Sequence, residues 1–402
     1  MKKFLSIFLV VILLLSLSVS LFACDADEIK NLTYQNAAGE TVKVSVKKTD
    51  DPEKVSQAIL ALASKEEDVA ALEQLMATFS ASVAVAGTAN ETPFDYSAEG
   101  TIKLGVAVPK DKNQKVDKFL KASKAYVYVN ATGKIPDGIM AYMDDEDAKI
   151  DFSKTMNINE KGEIFFDENN LYTKLTLSED TTAAAANLIS NIADVNGKVG
   201  KIELATMIDT AMKLPKVSAE LEKINLGEIF SKNNSWRKGV ENGIEAADKD
   251  DDDDEEPAQY TVDQNVQNIV KAFHIKITKT KGSKVTFTAE FNNDTLTQLK
   301  AFYGDDAVED FEAFEGSVYA TLEIDAKTML DMTLTLTVSD FVKQAFNEMA
   351  IEGNNITKTT ATFTIALSTK EAIPTLTAAE KEGAVAINAD FIGNLVQKLI
   401  KS

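Results

Sequence analysis

Residues that could carry out chemistry are few in this sequence. The 402 residues include one cysteine, Cys24, and one histidine, His274. His274 falls in an alternating segment, residues 273–279, where we expect it to be exposed on a strand face with Lys276 and Thr278. A serine-type triad needs a histidine between a nucleophile and a carboxylate, and a zinc site needs several His or Cys ligands. We therefore predict that the protein is not an enzyme and has no cofactor and no catalytic or metal-binding residue.

Clusters of carboxylates are the remaining candidates for chemistry. Residues 248–256 hold eight acids in nine positions and are followed by Pro257. Like charges at this density repel each other and bury no apolar area, so we predict an exposed, disordered loop within residues 242–260. A calcium site is the alternative, since carboxylates suit hard cations, but the run lacks the glycine and the spaced final glutamate of an EF-hand. The shorter clusters at residues 144–147 and 305–306 are predicted to be solvated turns.

The first 23 residues have the layout of a secretory signal peptide. Two lysines at positions 2 and 3 precede an apolar run over residues 4–22, and the small residue Ala23 ends it. The run is close to the length of a membrane span, so an uncleaved anchor is the alternative. Four serines within the run and the small residue at its end favour cleavage before Cys24.

The sequence Leu21-Phe22-Ala23-Cys24 resembles the lipobox of bacterial lipoproteins. In that family a lipid is attached to the cysteine thiol, and the peptidase then cuts before the cysteine. The resemblance implies lipidation of Cys24, which makes membrane lipid a partner and places the protein on the extracytoplasmic face of the cell membrane. The alternative, a buried thiol, is opposed by the acidic sequence at residues 25–28. The implied diacylglyceryl group supplies two chains, whereas one chain anchors a protein only marginally.

The net charge excludes one class of partner. The chain carries −21, and removal of residues 1–23, which include two lysines, leaves 379 residues with −23. A body this acidic should repel nucleic acid and anionic headgroups, so the anchor must supply most of the membrane affinity.

The periodicity of apolar residues alternates between strand and helix. Residues 32–35 and 41–46 flank a turn and predict a hairpin, and residues 53–79 have the apolar stripe of a helix that the polar residues 64–68 could divide. Further strands are predicted at 80–87, 95–108, 124–130, 148–158, 162–166, 171–177, 273–279, 284–291, 316–325, 329–338 and 357–367. Further helices are predicted at 181–193, 202–214, 220–231, 262–272, 295–303, 307–314 and 341–350.

These elements predict an α+β fold. We expect a large curved antiparallel sheet, an unclosed half-barrel, with an N-terminal helix and interrupting helices that cover its concave face. The strands allow one sheet or two. Our division of the chain is a signal peptide at 1–23, a tether and hairpin at 24–50, the body at 51–380 and a C-terminal helix at 381–402.

The order of the elements resembles the unclosed half-barrel family of envelope lipid carriers, which includes LolA, LolB and the mycobacterial LppX-type lipoproteins. Those proteins have an early helix, a strongly bent antiparallel sheet and helices at its mouth. The resemblance spans about residues 50–370 and rests on the helix at 53–79 and the strands that follow. It implies a lipid or other hydrophobic ligand in an apolar cavity. The alternative is a surface adhesion or scaffold lipoprotein, which would have a packed core and no ligand.

Overall fold

The structure is a computed structural model that describes residues 28–64, 72–111, 115–137, 149–168, 170–179, 182, 191–203, 260–304, 316–340 and 343–387. Contacts divide the chain into two compact units, each built from separate segments. Unit 1 consists of Met1–Asp68, Lys232–Phe346 and Thr357–Ala366. Unit 2 consists of Val69–Ser231, Asn347–Ile356 and Leu367–Ser402.

Strands dominate the described residues, and the α+β prediction is confirmed. A hairpin stands apart, and the other strands form one curved, unclosed twelve-stranded sheet in the order β14-β8-β7-β6-β5-β4-β3-β13-β12-β11-β10-β9. The registered pairs are antiparallel except β14 with β8, which are parallel. The strands are β1 (Glu28–Gln35), β2 (Thr41–Lys47), β3 (Gln74–Ala89), β4 (Thr92–Ala107), β5 (Lys124–Asp137), β6 (Asp151–Asp167), β7 (Asn170–Thr176), β8 (Val199–Ile202), β9 (Lys276–Lys281), β10 (Lys284–Phe291), β11 (Ser317–Asp325), β12 (Thr328–Ser339), β13 (Asn354–Ser368) and β14 (Val385–Ala386).

Seven helices lie in the described part of the chain, and the longer ones begin at side-chain caps. The Asp51 carboxylate accepts a hydrogen bond from the Glu53 backbone N–H at 3.1 Å, which caps the first helix. Thr261 and Gln264 form a reciprocal capping box at the fourth. The helices are α1 (Pro52–Ala63), α2 (Val116–Ala122), α3 (Ile192–Val195), α4 (Val262–Ala272), α5 (Asn293–Tyr303), α6 (Lys343–Met349) and α7 (Ala378–Glu382).

Unit 1 has a packed hydrophobic core. The hairpin β1–β2 and the helices α1, α4 and α5 contribute buried residues to the same cluster as the inward side chains of β9 to β12. The predicted hairpin, the helix at 262–272 and the strand at 284–291 are confirmed. Here the helices cover the apolar side of the strands, as the sequence predicted.

The predicted helix at 53–79 is wrong in its second half. The helix ends at Ala63, and Gln74–Ala89 is a sixteen-residue strand. Leu72, Leu75, Met76 and Phe79 fit a helical spacing, but Leu75 and Phe79 also fit a period of two. Pairing with β4 along the whole length of β3 satisfies the backbone hydrogen bonds and decides for the strand.

Other boundaries also differ from the prediction. The strands expected at 148–158 and 162–166 are one strand, because β6 pairs continuously with β5 across Glu160 and Lys161. Ile202, expected to start a helix, ends β8. Within 381–402, expected to be a helix, Lys381 and Glu382 end α7 and Val385–Ala386 is a strand. Residues 204–259, 305–315 and 388–402 lie outside the described residues, and the helices expected at 220–231 and 307–314 fall there.

We expect Phe287→Ala to destabilise unit 1 strongly. Phe287 on β10 is 1% exposed and lies opposite Leu322 and Ile277 on the neighbouring strands. Removing a buried phenylalanine ring costs about 3–5 kcal/mol, because transfer free energy is lost and a cavity remains. Urea unfolding followed by circular dichroism measures the loss. Tyr319→Ala, on β11 where the ring is 50% exposed, is the control, and equal losses for both variants would contradict the packed core.

Candidate functional site

Four adjacent strands of unit 2 carry a continuous apolar surface. Residues directly opposite each other in a ladder project to the same side of a sheet. The registers of β3, β4, β5 and β6 therefore align one set of side chains, which are aliphatic, aromatic or glycine except for Glu160 of β6, opposite Ala131 at the margin. We call this set the apolar face: Leu75, Ala77, Phe79, Ala81 and Val83 of β3; Ala98, Gly100, Ile102, Leu104 and Val106 of β4; Ala125, Val127, Val129 and Ala131 of β5; Gly162, Ile164 and Phe166 of β6.

The large side chains of the apolar face are open to solvent. Phe79 is 39% exposed, Ile102 44%, Leu104 45%, Val106 49% and Val129 43%. Their neighbours on the same face are partly buried. Large apolar side chains on the inner strands of a sheet are normally buried. This exposure therefore marks a surface that can bind an apolar ligand.

The apolar face is large enough to hold an extended hydrophobic chain. At about 3.4 Å per residue and about 4.8 Å between strands, it measures about 27 Å along β3 and about 14 Å across the four strands. The resulting area of about 400 Å² lies in the range of the largest apolar patches on soluble proteins, which are often functional.

The opposite side of the same strands, which we call the polar side, carries mainly polar side chains. Alternation places polar side chains such as Thr78, Ser80, Lys103 and Asn130 there, with an apolar cluster at one end. That cluster consists of Met76, Tyr126, Phe165, Tyr172 and Leu376. Apolar residues are therefore local on the polar side, whereas on the apolar face they fill all positions except that of Glu160 at the margin.

Residues 369–387, which we call the C-terminal strap, cross the polar side of unit 2. Glu371 pairs with Lys103 at 2.8 Å, and Val385–Ala386 pairs with β8. Lys381 Nζ lies 2.7 Å from Oδ2 of the buried Asp167. This contact raises the pKa of the Lys381 ammonium. The ion pairs fix the strap across the strands of the polar side.

A groove of about 650 Å³ lies beside the strap. It is lined by Glu168, Tyr172, Lys201, Glu203, Ala378, Lys381, Glu382, Ala384 and Ala386. Many of these side chains are charged, so the groove is poorly suited to an apolar ligand. The apolar face is the better candidate site.

The strap should loosen in acid because of Glu380. The Lys174 ammonium, 2.7 Å from Oε1, and hydrogen bonds from the Thr377 N–H and hydroxyl lower the pKa of Glu380 from 4.5 to about 2. The pKa is depressed in the folded state, so the ionised carboxylate stabilises the fold fully above about pH 4.5. That contribution is lost as the pH falls from about 4.5 through about 2.

We expect the Glu380→Gln variant to lose less unfolding free energy than the wild type over this pH interval. Urea unfolding at several pH values gives, for each protein, the slope of the unfolding free energy against pH. Asp95→Asn, at an exposed carboxylate on β4, is the control and should keep the wild-type slope. Identical slopes for Glu380→Gln and the wild type would contradict a role for this carboxylate in holding the strap.

The predicted position of His274 was wrong in one respect. His274 lies in the turn before β9, with a φ of 48°, and not within the strand. Its Nε2 is 2.8 Å from Oδ2 of Asp294 at the start of α5, and Gln298 Nε2 donates to the same oxygen at 2.9 Å. The His274 contact, followed by the Gln298 hydrogen bond, lowers the pKa of Asp294. This is a surface contact between a turn and a helix, and it holds no nucleophile.

The other residues singled out in the sequence lie outside the described residues. They are Cys24, the acidic loop at 248–256 and the clusters at 144–147 and 305–306. Among the residues that the structure does describe, no group of three His, Cys, Asp or Glu side chains could hold a metal ion.

The apolar face was only partly visible in the sequence. Alternation placed Ala125, Val127 and Val129 on one side of a strand, but the helical interpretation of residues 69–79 concealed the contribution of β3. The useful signal would have been the continuation of the alternation from Leu75 through Val83.

None of the described helices is long and apolar enough to cross a membrane. No protein-family model matches the sequence, and no curated protein matches it.

Proposed function

We propose that the protein is a membrane-anchored extracytoplasmic lipoprotein that binds a lipid or other hydrophobic ligand on the apolar face. Lipid on Cys24 holds it at the membrane, and its role is binding and not catalysis. The single observation that carries the ligand proposal is the exposure of the large apolar side chains of β3, β4 and β5.

The chemistry of the apolar face selects the class of ligand. The residues of the face offer no hydrogen-bonding side chain and no charge, so they recognise apolar surface; the one carboxylate at its margin, Glu160, accepts a hydrogen bond from the Ser178 N–H. Burial of a CH₂ group contributes about 0.8 kcal/mol, so an acyl chain that buries one side against the strands gains several kcal/mol. A polar headgroup would remain in water beyond the end of the strands.

A surface adhesion or scaffold lipoprotein is the second candidate. The observation that favours it is the packed core of unit 1, where helices cover the apolar side of β9 to β12 and leave a filled interior. A pull-down with the mature protein should then enrich one envelope protein reproducibly.

Extraction of the purified protein tests the ligand proposal. We expect organic extraction and mass spectrometry to release an amphiphile in a constant ratio to protein, in addition to the lipid covalently bound to Cys24. A fluorescent fatty acid added to delipidated protein should show a blue-shifted, saturable signal. The absence of both a co-purifying amphiphile and saturable uptake would overturn the ligand proposal while leaving the lipid anchor intact.

A further inference from the structure

Exposed lysines are concentrated on one part of unit 1, although the chain is strongly acidic. Residues 25–50 and 271–291 together hold nine lysines and six acids, a charge of +3. The mature chain as a whole carries −23, so the rest of it carries −26. We call six exposed lysines from these segments the basic edge: Lys43, Lys47 and Lys48 at β2, and Lys276, Lys279 and Lys281 on β9.

The position of β9 explains why its lysines are exposed. β9 is the last strand of the sheet order, and its residues Ile277 and Thr280 are buried while the three lysines point outward. Lysines on an edge strand also prevent pairing with another chain, which is the competing explanation for this composition.

The hairpin brings the second group of lysines to the same place. Thr49 and Ile277 exchange two backbone hydrogen bonds, at 3.0 and 2.9 Å. Side chains alternate along each segment, so Lys48 and Lys276, which flank the bridge, project to the side opposite Thr49 and Ile277. The bridge therefore brings Lys48 beside Lys276, whose side of β9 also carries Lys279 and Lys281, while Lys43 and Lys47 lie on the solvent side of β2 next to the bridge.

The distance along the chain from the anchor to this surface is short. Three residues separate Cys24 from Glu28, the first residue of β1, so the two Cα atoms lie at most about 14 Å apart. Lys47 is the cross-strand partner of Glu28, about 5 Å further on. With the thiol carrying lipid at the membrane surface, the end of the hairpin with Lys47 and Lys48 stands beside the headgroups.

We propose that the basic edge binds the anionic phospholipid headgroups of the membrane that holds the Cys24 anchor. This inference rests on the proposed lipidation of Cys24. The six acids of these two segments, Asp25, Asp27, Glu28, Glu40, Asp50 and Glu290, offset part of the attraction, and the nine lysines outnumber them. Contact with the headgroups orients unit 1 on the membrane while the more acidic remainder of the chain is repelled from it.

Lysine labelling of the lipidated full chain tests this contact. The protein is reconstituted into vesicles of phosphatidylcholine alone or of an equal mixture with phosphatidylglycerol, and a water-soluble amine reagent is added. Peptide mass spectrometry gives the rate at each lysine. We expect Lys48, Lys276 and Lys279 to react about five-fold more slowly on the anionic vesicles, which corresponds to the ~1 kcal/mol that a lysine gains near an anionic surface. Molar salt should remove the difference.

The exposed lysines Lys118 and Lys134 of unit 2 are the internal controls and should react equally on both vesicles. Reversal of two charges by Lys276→Glu and Lys279→Glu should also abolish the slow labelling of Lys48, whereas Lys118→Glu with Lys134→Glu should preserve it. Equal rates on both vesicles, with lipid on Cys24 present by intact mass, overturn the headgroup contact alone and leave edge protection as the role of these lysines. An intact mass without lipid overturns both the anchor and the contact.

Discussion

Replacement of Cys24 by serine should abolish lipidation and normal processing of the chain. A hydroxyl is a far weaker nucleophile than a thiol, so the step that the lipobox resemblance implies has no acceptor in this variant. We expect the precursor to accumulate without lipid. Incorporation of labelled palmitate, intact mass and cell fractionation measure lipid, processing and membrane retention separately.

Ala26→Ser is the matched control for the Cys24 substitution. It places a new hydroxyl two residues away and leaves the thiol in place, so lipidation and retention should be unchanged. If Cys24→Ser gave both a mature-sized product and full membrane retention, the lipoprotein proposal would fail. The physical reason is that the proposed diacylglyceryl group, at about 0.8 kcal/mol per buried CH₂, would be the main source of membrane affinity in a chain this acidic.

The second large effect is expected at Leu104, which lies within the apolar face between Ala77 and Val127. Leu104→Asp places a carboxylate against any bound apolar chain, and a charge that loses its water without a partner is costly. We expect the affinity for a fluorescent fatty acid to fall at least about tenfold, which is ~1.4 kcal/mol. Leu104 is 45% exposed in the free protein, so the unfolding free energy should change by less than about 1 kcal/mol.

Asn130→Asp is the matched control for Leu104→Asp. It adds the same charge to the neighbouring strand β5 but on the polar side, where Asn130 lies opposite Lys161. Ligand uptake by this variant should match the wild type. An equal loss of uptake in both variants would show that charge alone weakens binding, and no loss in Leu104→Asp would exclude the apolar face as the site.

The sequence was sufficient for the fold class and for elements with one dominant period. The helix Val262–Ala272 was predicted to the residue from its periodicity, and in the structure a capping box at Thr261 fixes its start. The hairpin β1–β2 was also predicted, since alternation on both sides of a turn has one simple interpretation, although β1 begins at Glu28 and not at the expected Leu32.

Sequence reasoning failed where long-range pairing decided between two local patterns. Residues 74–79 fit both a helix and a strand, and only the partner strand β4 resolves the choice. His274 illustrates the same limit on a smaller scale. Its contact with Asp294 depends on the packing of α5 beside the turn, which periodicity along one segment does not encode.

The parallel pairing of β14 with β8 has a consequence for the order in which unit 2 can form. Synthesis proceeds from the N-terminus, and more than 180 residues separate the end of β8 at Ile202 from Val385. At about 5–20 residues per second, the strap is made roughly 10–40 s after the strands that it crosses. During this interval the aromatic residues beneath Leu376 lack their cover. A nascent chain therefore presents apolar surface on both sides of these strands, and this is the stage at which a chaperone would be most needed.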